Sequence, residues 1–151
     1  MTDQGAAALD TALAYHRAWT EGDFSRAMTY VADDIVCLAP SVRLEGAEAF
    51  RAFMGPFTQL VTRSELLAAF GDATTAVLMY DTDTVPVKGA PGAECLTVVN
   101  GRITHLRIVF DSAPFEAART QRAPFADGRE AEPAGVPKDW PTTMHRGETS
   151  T

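Results

Sequence analysis

The sequence predicts an α+β domain in which a curved antiparallel sheet wraps around three N-terminal helices as a cone-shaped α+β barrel, with a C-terminal extension. Three observations predict it. Apolar residues recur at helical spacing in most of residues 5–60. Residues 61–110 are instead runs of Val, Thr, Leu and Ile punctuated by turn residues. After Asp111 the chain becomes polar and rich in charge, and it holds more than half of the prolines.

The elements follow in order. Residues 5–20, GAAALDTALAYHRAWT, lack proline and internal glycine, and Leu9, Ala12, Leu13, Tyr15 and Trp19 recur at helical spacing. Glu21-Gly22-Asp23 stops this helix, and Asp23 can cap a short second one over FSRAMTYVA. Asp33-Asp34 opens a strand over IVCLAP, and Glu45-Gly46 is a turn. Ala49, Phe50, Phe53, Phe57 and Leu60 mark a third helix over 47–60. Strands are expected over 61–70, 74–87, 93–99 and 103–110. Asn100-Gly101 between two β-branched runs is the best hairpin signal in the chain. Asp111-Ser112-Ala113-Pro114 opens a last helix through Phe115 to Arg122. An irregular tail follows, with Phe125 and Trp140 as its large apolar anchors.

Composition narrows the function classes. At 151 residues and 46% hydrophobic, the chain suits one domain that buries roughly 70% of its unfolded surface. A formal net charge of -7 argues against nucleic acid as a partner, since an acidic surface repels phosphates. No apolar run is long enough to span a membrane. Met1 to Gln4 lack the features of a signal peptide, so the expected location is cytoplasmic. Cys37 and Cys95 are too few for a disulfide scaffold or a zinc site, and both are read as buried thiols in strands.

Several strings, in this order, resemble the SnoaL-like branch of the nuclear transport factor 2-like superfamily. They are Tyr15-His16-Arg17-Ala18-Trp19, Glu21-Gly22-Asp23-Phe24, Val31-Ala32-Asp33-Asp34, Leu44-Glu45-Gly46-Ala47 to Phe50, Ala93-Glu94 to Ile103, and Leu106 to Asp111. The resemblance covers residues 6–111. It implies a domain over 1–111 and leaves 112–151 uncovered; this helix and tail are read either as a lid or dimer arm with Trp140 near the pocket mouth, or as a disordered, solvated extension. It also implies a pocket at the open end of the bent sheet, a default small-molecule site. Members include ketosteroid isomerases, polyketide cyclases, limonene epoxide hydrolases and non-catalytic binders, so the fold alone does not select an activity.

Strand parity selects candidates for chemistry. Leu106, Ile108 and Phe110 form the inward row of the last strand. Leu96 and Val98 form that of the strand before it, which places Glu94 inward. On the long strand, Val77, Met79, Asp81 and Asp83 share a row, read as inward. Carboxyls beside apolar walls are candidate general acids or bases. The plainer reading solvates Asp81 and Asp83 beyond the buried section. Tyr15 resembles the first-helix tyrosine that ketosteroid isomerases use as an oxyanion donor; otherwise it is a core tyrosine packed with Trp19. His16 is expected at the helix edge and His105 on the outer face.

The same comparison argues against two activities. The isomerase base falls at Ala39 and the second acid near Cys95, while the epoxide hydrolase arginine falls at Asp81 and its last-strand acid at Ile108. Hard-cation sites add backbone carbonyls and loop glycines, so no metal is expected at Asp81, Asp83 and Glu94, and no cofactor is implied.

Two readings follow. In the first, a cofactor-independent isomerase, cyclase, dehydratase or hydrolase acts on a small apolar molecule. Asp81, Glu94, Tyr15 and Asp83 carry the chemistry, and Trp19, Met79, Leu96, Ile108, Phe110 and Phe53 shape the pocket. In the second, the domain only binds or dimerises. In both, Thr97, Val99, His105, Arg107 and Val109 on the outer face suit a homodimer contact.

Overall fold

A computed structural model describes residues 4–122. After a 3-10 turn at Gln4–Ala6, helix α1 spans Ala7–Thr20 and buries Ala8, Ala12, Tyr15, His16 and Trp19 on one face. Gly22, at φ +88°, lets the chain reverse where a side chain would be strained. Asp23 then caps α2 (Phe24–Met28), its carboxylate accepting from the Arg26 amide at 3.0 Å. This helix ends earlier than the expected FSRAMTYVA. The Tyr30 carbonyl accepts from the Ile103 amide at 2.7 Å, which draws Val31 into the sheet.

Strand β1 accordingly runs Val31–Ala39 and carries a register shift between Val31 and Val36. That irregularity turns both Asp33 and Asp34 outward. Ser41, at φ 63°, turns the chain into β2 (Val42–Glu45), a strand not expected from the sequence. Helix α3 occupies Ala47–Leu60 as expected. Four strands follow: β3 (Val61–Gly71), β4 (Thr75–Thr84), β5 (Ala90–Val99) and β6 (Arg102–Phe110). The β3–β4 turn is tied by Asp72, whose Oδ1 accepts from the amides of Thr74 and Thr75, both at 2.8 Å. Asn100 and Gly101 both have positive φ, as the expected two-residue hairpin requires.

The sheet order is β2-β1-β6-β5-β4-β3. Four of its pairings are antiparallel, but β1 lies parallel to β6, so the sheet is mixed. The long excursion through α3 and three strands returns β6 beside β1 in the same direction. The sheet is curved and does not close, with β2 and β3 as its edges. Tyr15, Trp19, Phe50, Ile35, Leu78, Leu96, Ile103 and Leu106 fill the core between helices and inner face. At the end of β6, Asp111 accepts from the Ala113 amide at 3.0 Å and starts α4 (Ala113–Arg122). Phe115 fastens that helix to Val87, Ala90, Phe57 and Phe110. Among the described residues no helix is long and apolar enough to cross a membrane. The expected tail anchors Phe125 and Trp140 lie outside the described residues.

Candidate functional site

The parity of β4 is opposite to the sequence expectation. Its inward row is Ala76, Leu78, Tyr80, Thr82 and Thr84, and its outward row is Val77, Met79, Asp81 and Asp83. The register decides this: Leu78 pairs with Glu94 and Tyr80 with Gly92, so the inward residues of β5 face even-numbered partners. Three expected site residues therefore leave the pocket. Met79 is 48% exposed on the outer face. Asp81 shares that face, and Asp83 serves the β4–β5 connection, accepting from the Gly89 amide at 2.7 Å, with Arg63 4.0 Å away. Asp81→Asn is expected to change stability by less than about 0.5 kcal/mol. Asp83→Asn, which weakens one loop bond, should cost about 1 kcal/mol. Urea denaturation checks both, and ligand binding should be unaffected.

Glu94 is inward as expected and 1% exposed. Its Oε1 accepts from the Tyr80 hydroxyl at 3.0 Å. Burial pushes its carboxyl up to about 7, although the Tyr80 bond favours the charged form and opposes the rise. Tyr15 is fully buried close by; burial, then the charge of Glu94, raises its phenol well above the ordinary value. Burial pushes the Cys37 thiol up to about 12, so it is inert as a nucleophile. Cys95, expected to be buried, is exposed on the outer row of β5.

His16 also departs from expectation. It is 5% exposed rather than at the helix edge, with its ring 4.9 Å from Trp19 and 4.8 Å from Tyr80. Tyr80 in turn meets Trp19 at 5.6 Å. Burial pushes His16 down to about 4, so it is neutral at physiological pH. Four buried polar atoms of this cluster lack a hydrogen-bond partner among the described residues: the Tyr15 hydroxyl, His16 Nδ1, Trp19 Nε1 and Glu94 Oε2. A buried polar group left without a partner costs about 1–3 kcal/mol, and the concentration of four such atoms in one place makes this cluster the candidate site.

Tyr80 connects this cluster to a cavity of about 30 Å³. One wall is Phe53, Met54 and Phe57 of α3, and another is Ala90, Pro91 and Gly92 of β5. Ile108 and Phe110 of β6, with Phe115 of α4, close it, and Tyr80 and Thr82 complete the lining. Phe110 and Phe115 meet edge to face at 5.8 Å. Of the expected pocket residues, Phe53, Ile108 and Phe110 line the cavity. Trp19 stands behind it, tilted 6.3 Å from Phe57, and Leu96 is core. Glu94 is not in the lining; it stands behind Tyr80. The sequence reading missed Tyr80 because it sits on the row taken as outward, and Phe115 because it stands alone on a polar helix.

No group of three or more His, Cys, Asp or Glu side chains among the described residues is placed to hold a metal ion.

A family model, the SnoaL-like domain, matches residues 12–106, more than half of the chain. The chain belongs to the SnoaL-like family. A crystal structure of a protein from Kribbella flavida DSM 17836 is 67% identical, covers 78% of this chain and 97% of its own, and superposes with a TM-score of 0.76. A putative polyketide cyclase from Sinorhizobium meliloti is 20% identical, covering 66% and 94% with a TM-score of 0.59. An epoxide hydrolase from M. tuberculosis, described as LEH-like, is 17% identical, covering 78% and 92% with a TM-score of 0.62. Comparison with curated proteins finds no match. The two lower likenesses place this SnoaL-like domain among proteins of the same fold, a fold that includes enzymes.

Proposed function

We propose that this SnoaL-like domain is a cofactor-independent enzyme that performs acid/base chemistry on a small, largely apolar molecule. The observation that carries the reading is the Tyr80–Glu94 pair: a phenol in the wall of an apolar cavity, hydrogen-bonded to a fully buried carboxyl. Tyr80 is the residue that meets the ligand, and Glu94 is its proton partner.

The pair has two states near neutrality. When Glu94 is ionised, the Tyr80 hydroxyl donates to it and the phenol oxygen can accept from the ligand. When Glu94 is protonated, it can donate to the phenol oxygen, which frees the phenol proton for a ligand oxygen. A carboxyl near 7 populates both states at working pH, as a general acid or base needs. Tyr15, uncharged and with its hydroxyl unpartnered, supplies a further donor next to Glu94. Isomerisation, cyclisation, dehydration and hydrolysis all use such proton movement.

Mass spectrometry of the small molecule that co-purifies with the protein would supply the substrate. Turnover by the native chain and its loss in Glu94→Gln, with binding retained, is the expected result. Binding with no turnover by the native chain would make the domain a carrier instead.

A homodimer is proposed alongside. Val77, Met79, Val99 and Val109 are all about half exposed on the outer side of the sheet, where Met79 and Val109 flank Ala93 in register. Apolar residues grouped in this way suit an isologous contact. Light scattering at micromolar concentration should give twice the chain mass, and a monomer would remove the proposal.

A further inference from the structure

Gly92 lies opposite Tyr80 in the β4–β5 register and forms part of the cavity wall. Its backbone does not call for glycine, because its φ lies outside the left-handed region. Space does. A Cβ at this position would stand 2.9 Å from Tyr80 Cε2, 3.2 Å from Cζ and 3.3 Å from the hydroxyl oxygen. The first distance is shorter than carbon atoms tolerate, so the ring would have to shift.

The tip of a free side chain shifts at little cost, but this one is boxed in. His16 and Trp19 stand against the ring at 4.8 and 5.6 Å, and the hydroxyl is held on Glu94 at 3.0 Å. Tyr80 is 5% exposed, so retreat to solvent is closed, and the cavity it lines is the one space left for the ring to shift into. Of these restraints, the hydrogen bond is the one a small tilt would break first, since it weakens steeply with angle and distance while ring contacts are broad.

We infer that Gly92 is a positioning residue: the space left by its missing side chain holds the Tyr80 ring against β5 and aims the hydroxyl at Glu94. Gly92 thereby acts on the buried acid two residues along its own strand through the residue opposite it. The inference rests on the reading of Tyr80 and Glu94 as the working pair, but its test reads a titration without substrate, so either can fail alone.

The titratable groups around Glu94 permit a clean reading. Tyr80 faces it from β4, Tyr15 from α1 and Cys37 from β1, with His16 of α1 behind the Tyr80 ring. Leu106 and Ile108 of β6 and Phe50 and Met54 of α3 contribute apolar surface to the same core. Between pH 5 and 9 only Glu94 among these changes charge, since His16 titrates near 4, Cys37 near 12 and both tyrosines well above 10.

The test follows the Glu94 side-chain carboxyl by carbon-13 nuclear magnetic resonance, its signal assigned by its loss in Glu94→Gln. Tyr80→Phe removes the donor to the carboxylate and should raise the midpoint by about one pH unit. Gly92→Ala should raise it in the same direction, and Gly92→Ala combined with Tyr80→Phe should raise it no further than Tyr80→Phe alone. A Gly92→Ala midpoint equal to the native one would overturn the inference, as would an unmoved midpoint in Tyr80→Phe. If Gly92→Ala does not fold, Gly92→Ala/Tyr80→Leu should, because the shorter side chain vacates the space. Failure of that pair to fold, with Tyr80→Leu itself folded, would also overturn it.

Discussion

Glu94→Gln is expected to abolish the proposed turnover and at the same time to make the protein more stable above pH 7. Burial raises the folded-state carboxyl from its ordinary value of 4.5 to about 7, so the folded chain holds a proton there that the unfolded chain has released. Stability from this group is complete below about 4.5, falls as pH rises through about 7, and is then fully lost. The loss is of order 3 kcal/mol, about 1.4 kcal/mol for each pH unit of the shift. Gln keeps the oxygen that Tyr80 donates to and never ionises. Its amide nitrogen stands where Oε2 had no partner, which costs about 1 kcal/mol. At pH 8 the variant should therefore gain about 2 kcal/mol, seen as a higher urea midpoint with an unchanged slope. At pH 4.5 it should be slightly less stable than the native chain. A site residue whose removal stabilises the fold is a residue retained for function.

His16 is expected to produce the opposite slope. Burial lowers it from 6.5 to about 4, so the unfolded chain binds a proton that the folded chain refuses. Stability from His16 is complete above about 6.5 and falls as pH drops through about 4. Between about 4.5 and 6.5 the two groups cancel. In that window the unfolded chain carries one proton on His16 and the folded chain carries one on Glu94. The pair therefore adds no pH dependence there.

Removing either partner exposes the other. Glu94→Gln should lose about 1.4 kcal/mol per pH unit on acidification across the window, and His16→Leu should lose about the same on alkalinisation. Asp72, which the amides of Thr74 and Thr75 hold below its ordinary value of 3.8, acts at lower pH, and Cys37 acts far above. Urea denaturation of the three proteins at pH 4.5, 5.5 and 6.5 measures the slopes. Parallel curves would show that the two groups are not buried as described.

The helical half of the fold was legible because helical spacing and caps are local signals. Tyr15 and Trp19 share one face, Asp23 caps α2, and 47–60 is helical as read. The Asn100-Gly101 hairpin was legible for the same reason. Strand β2 was not, because four residues between two turns leave no period to count. Neither was the parallel β1–β6 pairing, which depends on where a long excursion returns.

The site was half legible. The inward placement of Glu94, Ile108 and Phe110 was legible because β5 and β6 each have one apolar row and one mixed row. On β4 both rows are apolar at the start, Ala76, Leu78 and Tyr80 against Val77 and Met79, so hydrophobicity alone could not choose. The two acids at the end of the wrong row then attracted the choice. For His16 the step of about 100° from Tyr15 misled: it read as the helix edge, yet as a neutral ring beside Trp19 and Tyr80 the imidazole packs as an aromatic.

The most direct measurement is the titration of the native protein followed at two places at once, the Glu94 carboxyl carbon and the Tyr80 ring. A proton stored behind the pocket wall requires that both report one event, with a midpoint near 7. A Glu94 midpoint at the ordinary 4.5, or a Tyr80 ring that does not respond when Glu94 ionises, would contradict it.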